Sequence, residues 1–138
     1  MRVLTLILLT LLGSACFFRG EPNYEQQATE AEALISANKV LRRLDRICSE
    51  LPKPDTFELA GKSAGRRILY VEYRYRTDLS YKEAKEFYDP RLTTDGWRIR
   101  EERPNWGSWF QYEKDGDFVM IQRLSNAKTL SISCSDEH

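Results

Sequence analysis

Short segments of alternating polar and apolar residues follow one another at the end of this chain, with turn residues between them. They are Trp97–Glu101, Ser108–Lys114, Asp117–Leu124 and Thr129–Cys134. The second and third flank Asp115-Gly116, which is a strong hairpin signal. Consecutive strands joined by short turns pair antiparallel, whereas parallel strands need long crossover connections. This feature confines the chain to folds built on an antiparallel sheet.

A long helix is predicted near the start of the chain. Asn23 with Gln26 three residues later is a typical helix start, and Tyr24–Cys48 contains neither Gly nor Pro. Its apolar residues recur at spacings of three and four, at Leu34, Ala37, Leu41, Leu44 and Cys48. Such a stripe packs on the protein's own sheet or, alternatively, on a coiled-coil partner.

The middle of the chain predicts a strand followed by a second helix. Ile68–Thr77 alternates, while Gly61–Gly65 has the composition of a loop. Ser80 and Glu83 form a capping box, and Gly96 is suited to end the helix that follows. We therefore expect an α+β fold, an antiparallel sheet of about five or six strands with two helices packed on one face.

The first residues have the pattern of a secretory leader. Met1-Arg2 is positively charged, Val3–Leu12 is apolar, and the small residues Gly13-Ser14-Ala15 follow. The run is shorter than the roughly 20 apolar residues that a membrane span needs, which favours cleavage over the alternative of an uncleaved anchor. The pattern predicts a signal peptide over 1–15, a tether over 16–23 and one α+β domain over 24–138.

Cys16 comes directly after this leader and resembles the lipobox cysteine of bacterial lipoproteins. Ser14 and Ala15 fit that pattern, although Gly13 stands where Leu is usual. The resemblance implies lipidation of Cys16 and an exported protein anchored to a membrane of the bacterial cell envelope. Cleavage by an ordinary signal peptidase is the alternative, and it would give a secreted soluble protein.

The number of cysteines is odd, which calls for an explanation in an exported chain. If Cys16 carries lipid, Cys48 and Cys134 remain, and an oxidising compartment favours a disulfide between them. The alternative is two unpaired cysteines that serve as small core residues.

The segment 68–97 resembles small secreted and lipoprotein domains of bacteria that have no characterised function. The shared pattern is an alternating strand, a capping box, an aromatic pair and a closing Gly-Trp, here Tyr73, Tyr75, Thr77, Ser80, Glu83, Phe87, Tyr88, Leu92, Gly96 and Trp97. The resemblance implies a fold and a location but no activity.

The sequence contains no recognisable reaction mechanism. His138, the last residue, is the only histidine, which argues against histidine-dependent catalysis and most zinc sites. The segment Gly61–Gly65 lacks the spacing of a phosphate-binding loop. We therefore predict no cofactor, no metal and no catalytic residue. The 21 basic and 21 acidic side chains cancel, so overall charge offers no attraction for nucleic acid.

The most prominent candidate binding surface is aromatic and comprises Trp106, Trp109 and Phe110. Exposed rings favour contact with sugar or protein, although a ring at the edge of the core is the alternative. Arginines on outer strand positions, at 74, 76, 98 and 100, have glutamates nearby and suggest a salt-bridged sheet face.

These features favour a lipid-anchored envelope domain that binds a protein or glycan without catalysis. The alternatives are a carboxylate-dependent envelope hydrolase acting on glycans and a purely structural envelope component.

Overall fold

The structure, a computed structural model, describes residues 23–105, 107–124 and 128–137. This part of the chain forms the helices α1 (Tyr24–Ala37), α2 (Lys39–Glu50) and α3 (Tyr81–Thr94). Its strands are β1 (Glu58–Gly65), β2 (Tyr70–Arg76), β3 (Arg98–Arg103), β4 (Trp109–Lys114), β5 (Asp117–Arg123) and β6 (Thr129–Asp136). The predicted signal peptide, Cys16 and Trp106 lie outside the described residues.

The strands form one sheet in the order β1-β2-β6-β5-β4-β3, and each neighbouring pair is antiparallel. The hairpin of β5 and β6 occupies the centre, while β1 and β3 are the edges. Every pair except β2 with β6 joins consecutive strands, as the short turns predicted. The chain therefore has the expected α+β fold, with six described strands and three described helices.

The long first helix of the prediction is broken at Asn38 into α1 and α2. Asn38 has an extended backbone, and its side-chain oxygen accepts hydrogen bonds from the N–H groups of Val40 and Leu41 at 2.8 and 3.1 Å. Asn is favoured at such a position because its short side chain satisfies free backbone donors. The break lets α1 lie along the edge strand β1 while α2 packs on β2 and β6.

The predicted loop Gly61–Gly65 is wrong, because these residues are the second half of β1. The segment pairs with β2 from Gly61 opposite Arg74 to Gly65 opposite Tyr70. A Cβ atom at position 61 would lie 2.8 Å from the ring of Tyr24 in α1. Gly61 therefore marks a close approach of α1 to β1. Because glycine is also common in turns, the segment has the composition of a loop although it is a strand.

Helix α3 begins and ends where the sequence predicted. The Ser80 hydroxyl accepts from the Glu83 N–H, and the Glu83 carboxylate accepts from the Ser80 N–H, which completes the capping box. The helix runs through Pro90 as one element. Gly96 follows its end with a φ of 86°, a conformation that glycine adopts without strain.

The two faces of the sheet differ in what covers them. Helices α2 and α3 pack on one face, which we call the helix side, and the core lies between them and the sheet. Its completely buried or nearly buried strand residues are Val71, Phe110, Tyr112, Val119, Ile121, Leu130, Ile132 and Cys134. Ile99 of the edge strand β3 is 41% exposed, although it alternates with polar neighbours as a core residue would.

The opposite face, which we call the open side, has none of the described helices packed on its central strands. Because side chains alternate along a strand, this face is formed by the residues between the core positions. These are Tyr70, Glu72 and Arg74 of β2, Ser131, Ser133 and Ser135 of β6, Phe118, Met120 and Gln122 of β5, and Trp109, Gln111 and Glu113 of β4.

Candidate functional site

Cys48 of α2 and Cys134 of β6 meet in the core. Their sulfur atoms lie 2.12 Å apart, a covalent distance, and their Cα atoms 5.9 Å apart. Both residues are completely buried. The predicted pairing of these two cysteines is therefore confirmed, and it ties α2 to a central strand of the sheet.

The aromatic residues proposed as a binding surface do not lie on one face. Phe110 is 1% exposed and packs edge-on against Tyr81 and Tyr112, so it belongs to the core and not to a surface. Alternation along β4 turns it to the helix side and places Trp109 on the open side. The guanidinium of Arg103 lies 5.5 Å from the centre of the Trp109 ring. Trp106 lies outside the described residues. Of the other two residues of the predicted aromatic surface, Trp109 lies on the open side and Phe110 lies in the core.

Serine side chains occupy the middle of the open side. Ser133 lies opposite Glu72 on one neighbouring strand and Met120 on the other. Ser131, which lies between Arg74 and Gln122, is only 3% exposed because these longer side chains flank it. The row of serines is therefore lower than the two rows beside it, which carry aromatic rings, an amide and a thioether as well as the paired Arg74 and Glu72.

The ionic groups of the open side pair with one another. Arg74 pairs with Glu72, and Arg100 lies 3.4 Å from Glu113. At the outer edge of the face, Arg103 contacts Glu101 at 3.0 Å. Burial opposes the charge of Arg74 most strongly, but its hydrogen bond and charge interaction with Glu72, together with its interactions with Tyr24, outweigh burial and raise the pKa of Arg74. The predicted salt-bridged sheet face is therefore present.

A half-buried polar cluster joins α1 and α2 to the hairpin of β1 and β2. The Tyr73 hydroxyl donates to Asp45 at 2.7 Å, and the Lys62 ammonium lies 2.8 Å from Asp45 and 2.6 Å from Glu32. Burial opposes the charge of Lys62 most strongly, but its hydrogen bonds to Asp45, Glu32 and Tyr73 outweigh burial and raise its pKa. An ammonium held in the charged form is not a nucleophile, and the contacts of Lys62 connect β1 to both α1 and α2.

A second cluster of the same composition holds α3 on the other half of the sheet. The hydroxyl of Tyr112, which is completely buried, donates to Asp89. Lys85 pairs with Asp89 and lies 3.3 Å from Glu102. Burial, followed by the hydrogen bond to Asp89, raises the pKa of Tyr112. Sequence reasoning missed both clusters because their tyrosines and aspartates lie 28 and 23 residues apart along the chain.

The hollows on the surface lie away from these two clusters. One of about 700 Å³ lies between the ends of α2 and α3 and is lined by Glu50, Pro52, Pro90, Arg91, Thr94 and Asp95. Another, of about 410 Å³, lies beside the start of α3 and is lined by Thr56, Glu58, Arg76, Thr77, Asp78, Leu79 and Glu83. Neither contains a residue of the predicted aromatic surface.

No three carboxylate, thiol or imidazole side chains among the described residues come close enough to hold a metal ion. Helices α1, α2 and α3 are each too short and too polar to cross a bilayer. Comparisons of the chain with protein-family models, with curated proteins and with solved structures found no match.

Proposed function

We propose that this chain is an exported, lipid-anchored domain of the bacterial cell envelope that acts by binding rather than by catalysis. The observation that carries the proposal is the pairing of Cys48 with Cys134, which leaves Cys16 as the odd cysteine. Disulfides persist in oxidising compartments outside the cytoplasm. A leader followed directly by an unpaired cysteine is the arrangement that lipid attachment requires.

The tether would keep the domain next to the membrane. Residues 16–23 can span at most about 30 Å when fully extended, since each residue adds no more than roughly 3.6 Å. Helix α1 begins at Tyr24, directly after this segment. A lipid on Cys16 would therefore hold the folded domain within reach of the bilayer surface.

Replacing Cys16 by serine is expected to release the protein from the membrane. In cells expressing the full chain, the wild type should sediment with membranes after lysis, and intact-mass measurement should show an acylated N-terminal cysteine and a mass two hydrogens below the reduced form. A Cys16→Ser chain cannot carry the lipid and should lose the acyl mass.

The matched control for that experiment is Ala15→Ser, which keeps Cys16 and a small residue at the cleavage site. It should remain acylated and membrane-bound. A wild-type protein that begins at Met1 with three free thiols would contradict both export and anchoring.

For the binding activity, we propose that the open side contacts a cell-wall glycan. Sugars are bound by aromatic rings that cover their apolar faces and by amides and hydroxyls that bond their polar groups. Trp109, Gln111, Gln122 and Ser133 supply these groups on the open side. The pairing of its charged side chains with one another suits an uncharged polar ligand.

Substitution of Ser133 by arginine is expected to abolish this contact. The long charged side chain would fill the lowest part of the open side, and we expect binding to purified cell-wall sacculi to fall by about tenfold or more. Co-sedimentation of the folded protein with sacculi measures the effect. Ser36→Arg places the same charge on the exposed surface of α1 and should bind like the wild type. Equal binding by both variants would exclude the open side as the contact surface.

A further inference from the structure

The exposed face of α2 carries a stripe of cations. Lys39, Arg42, Arg43 and Arg46 follow the spacing i, i+3, i+4 and i+7, which places them on one face of a helix. All four are exposed, while Leu41, Leu44 and Cys48 are buried against the sheet. The stripe therefore points away from the sheet, on the molecular surface opposite the open side.

The turn between β1 and β2 extends this positive surface. Arg66 lines a small hollow together with Asn38, the residue that caps α2, so the turn lies beside the first residues of that helix. Arg67 is also exposed, and Ile68 beside it is 72% exposed, the highest value among the exposed large apolar residues. We call the six cations Lys39, Arg42, Arg43, Arg46, Arg66 and Arg67 the basic patch.

Most of the basic patch has no opposite charge beside it. Arg43 contacts Asp117 at 2.9 Å and Asp136 at 3.1 Å. For the other five cations, no carboxylate of the described residues lies within 4.0 Å. A chain with a net charge of zero therefore concentrates uncompensated positive charge on one side.

We infer that the basic patch binds the surface of an anionic lipid bilayer, with Ile68 entering the interface between headgroups and acyl chains. The exposed stripe of a helix and the exposed turn beside it present several cations and one large apolar side chain on the same surface, a combination that suits an anionic bilayer. Cations attract anionic headgroups, and an exposed apolar side chain among them adds burial in the interface.

This orientation agrees with the arrangement of the rest of the molecule. The patch lies on the outer surface of the helix layer, so a bilayer there leaves the open side facing away from the membrane. The inference deepens the proposed function, because it rests on an anchor at Cys16 to bring the patch to a bilayer. It assigns to the domain a second, non-covalent membrane contact.

Vesicle binding by the unacylated protein tests the inference. The protein is the mature chain with Cys16→Ser, exported behind a leader that is removed after position 15. It is mixed with vesicles of phosphatidylcholine alone, or with vesicles of phosphatidylcholine and phosphatidylglycerol in equal amounts. We expect binding to the anionic vesicles only, weakening as salt screens the charges. Arg46→Gln with Arg67→Gln should weaken it about 30-fold, since each cation near such a surface contributes about fivefold.

Matched controls separate the patch from overall charge and overall hydrophobicity. In the same Cys16→Ser chain, Arg76→Gln with Lys82→Gln removes the same charge outside the patch and should bind within about threefold of the parent chain. Ile68→Ser should weaken binding, whereas Leu59→Ser, at an apolar residue that is 59% exposed near the other end of β1, should not.

Two results would overturn the inference. One is equal loss of binding in both double variants, which would show a general charge effect. The other is failure of the unacylated Cys16→Ser chain to bind anionic vesicles, which would leave an acidic protein as the partner of the patch. Neither result affects the anchor, because membrane sedimentation of the acylated chain tests Cys16 independently.

Discussion

Replacing Cys48 and Cys134 together by alanine is expected to lower the free energy of unfolding by about 4–5 kcal/mol. The bond closes a loop between residues 86 positions apart, and removing it restores the conformational freedom of that loop to the unfolded chain. Alanine at both positions avoids leaving a reactive thiol in the core. Urea unfolding of the oxidised wild type and the double variant, followed by circular dichroism, measures the difference.

The same experiment distinguishes the effect of the bond from the loss of two side chains. Unfolding of the wild type in the presence of a reductant should approach the stability of the double variant. Because both sulfur atoms are completely buried, the reductant should act mainly on unfolded molecules. Identical urea midpoints for the oxidised wild type and the double variant would show that the bond contributes nothing to stability.

Replacing Tyr112 by phenylalanine is expected to cost about 1.5–3 kcal/mol of stability, the usual contribution of a hydrogen bond to a charged group. The Tyr112 hydroxyl donates to Asp89, which also pairs with Lys85 and holds α3 on the sheet. Removing the hydroxyl leaves this partly buried carboxylate with one donor fewer. Urea unfolding of the disulfide-intact protein measures the loss.

Tyr88 supplies a closely matched control for that substitution. Like Tyr112 it is completely buried, but its hydroxyl has no hydrogen-bond partner among the described residues. Burial raises the pKa of Tyr88, so the hydroxyl stays neutral. Tyr88→Phe should therefore leave stability unchanged or raise it by up to about 1 kcal/mol. Equal losses in the two variants would contradict a stabilising role for the bond between Tyr112 and Asp89.

Several elements were predictable because their signals act within a few residues. The capping box of Ser80 and Glu83 needs only the geometry of one helical turn. Asp115 and Gly116 have φ values of 53° and 83°, the left-handed pair that a two-residue hairpin turn requires. The antiparallel sheet followed from such turns, since they leave successive strands side by side.

Other elements depended on contacts between distant parts of the chain. The segment Gly61–Gly65 has the composition of a turn, yet it pairs with β2 as a strand. The glycine at position 61 is explained by the Tyr24 ring, which packs closely against it. Asn38 interrupts a segment with uniform helical periodicity, because α1 and α2 contact different strands. Phe110 and Trp109 are neighbours in sequence, and only strand register decided which of the two entered the core.

By itself, the sequence indicated the fold class, favoured the pairing of Cys48 with Cys134 over two free cysteines, and set the overall balance of charge. Only the tertiary structure decided where that charge lies, which face of the sheet remains open, and which aspartates the buried tyrosines contact. The physical reason is the range of the interactions involved. Turn, capping and periodicity preferences act over a few residues, whereas side chains from separate elements become neighbours only when the sheet and its helices are assembled.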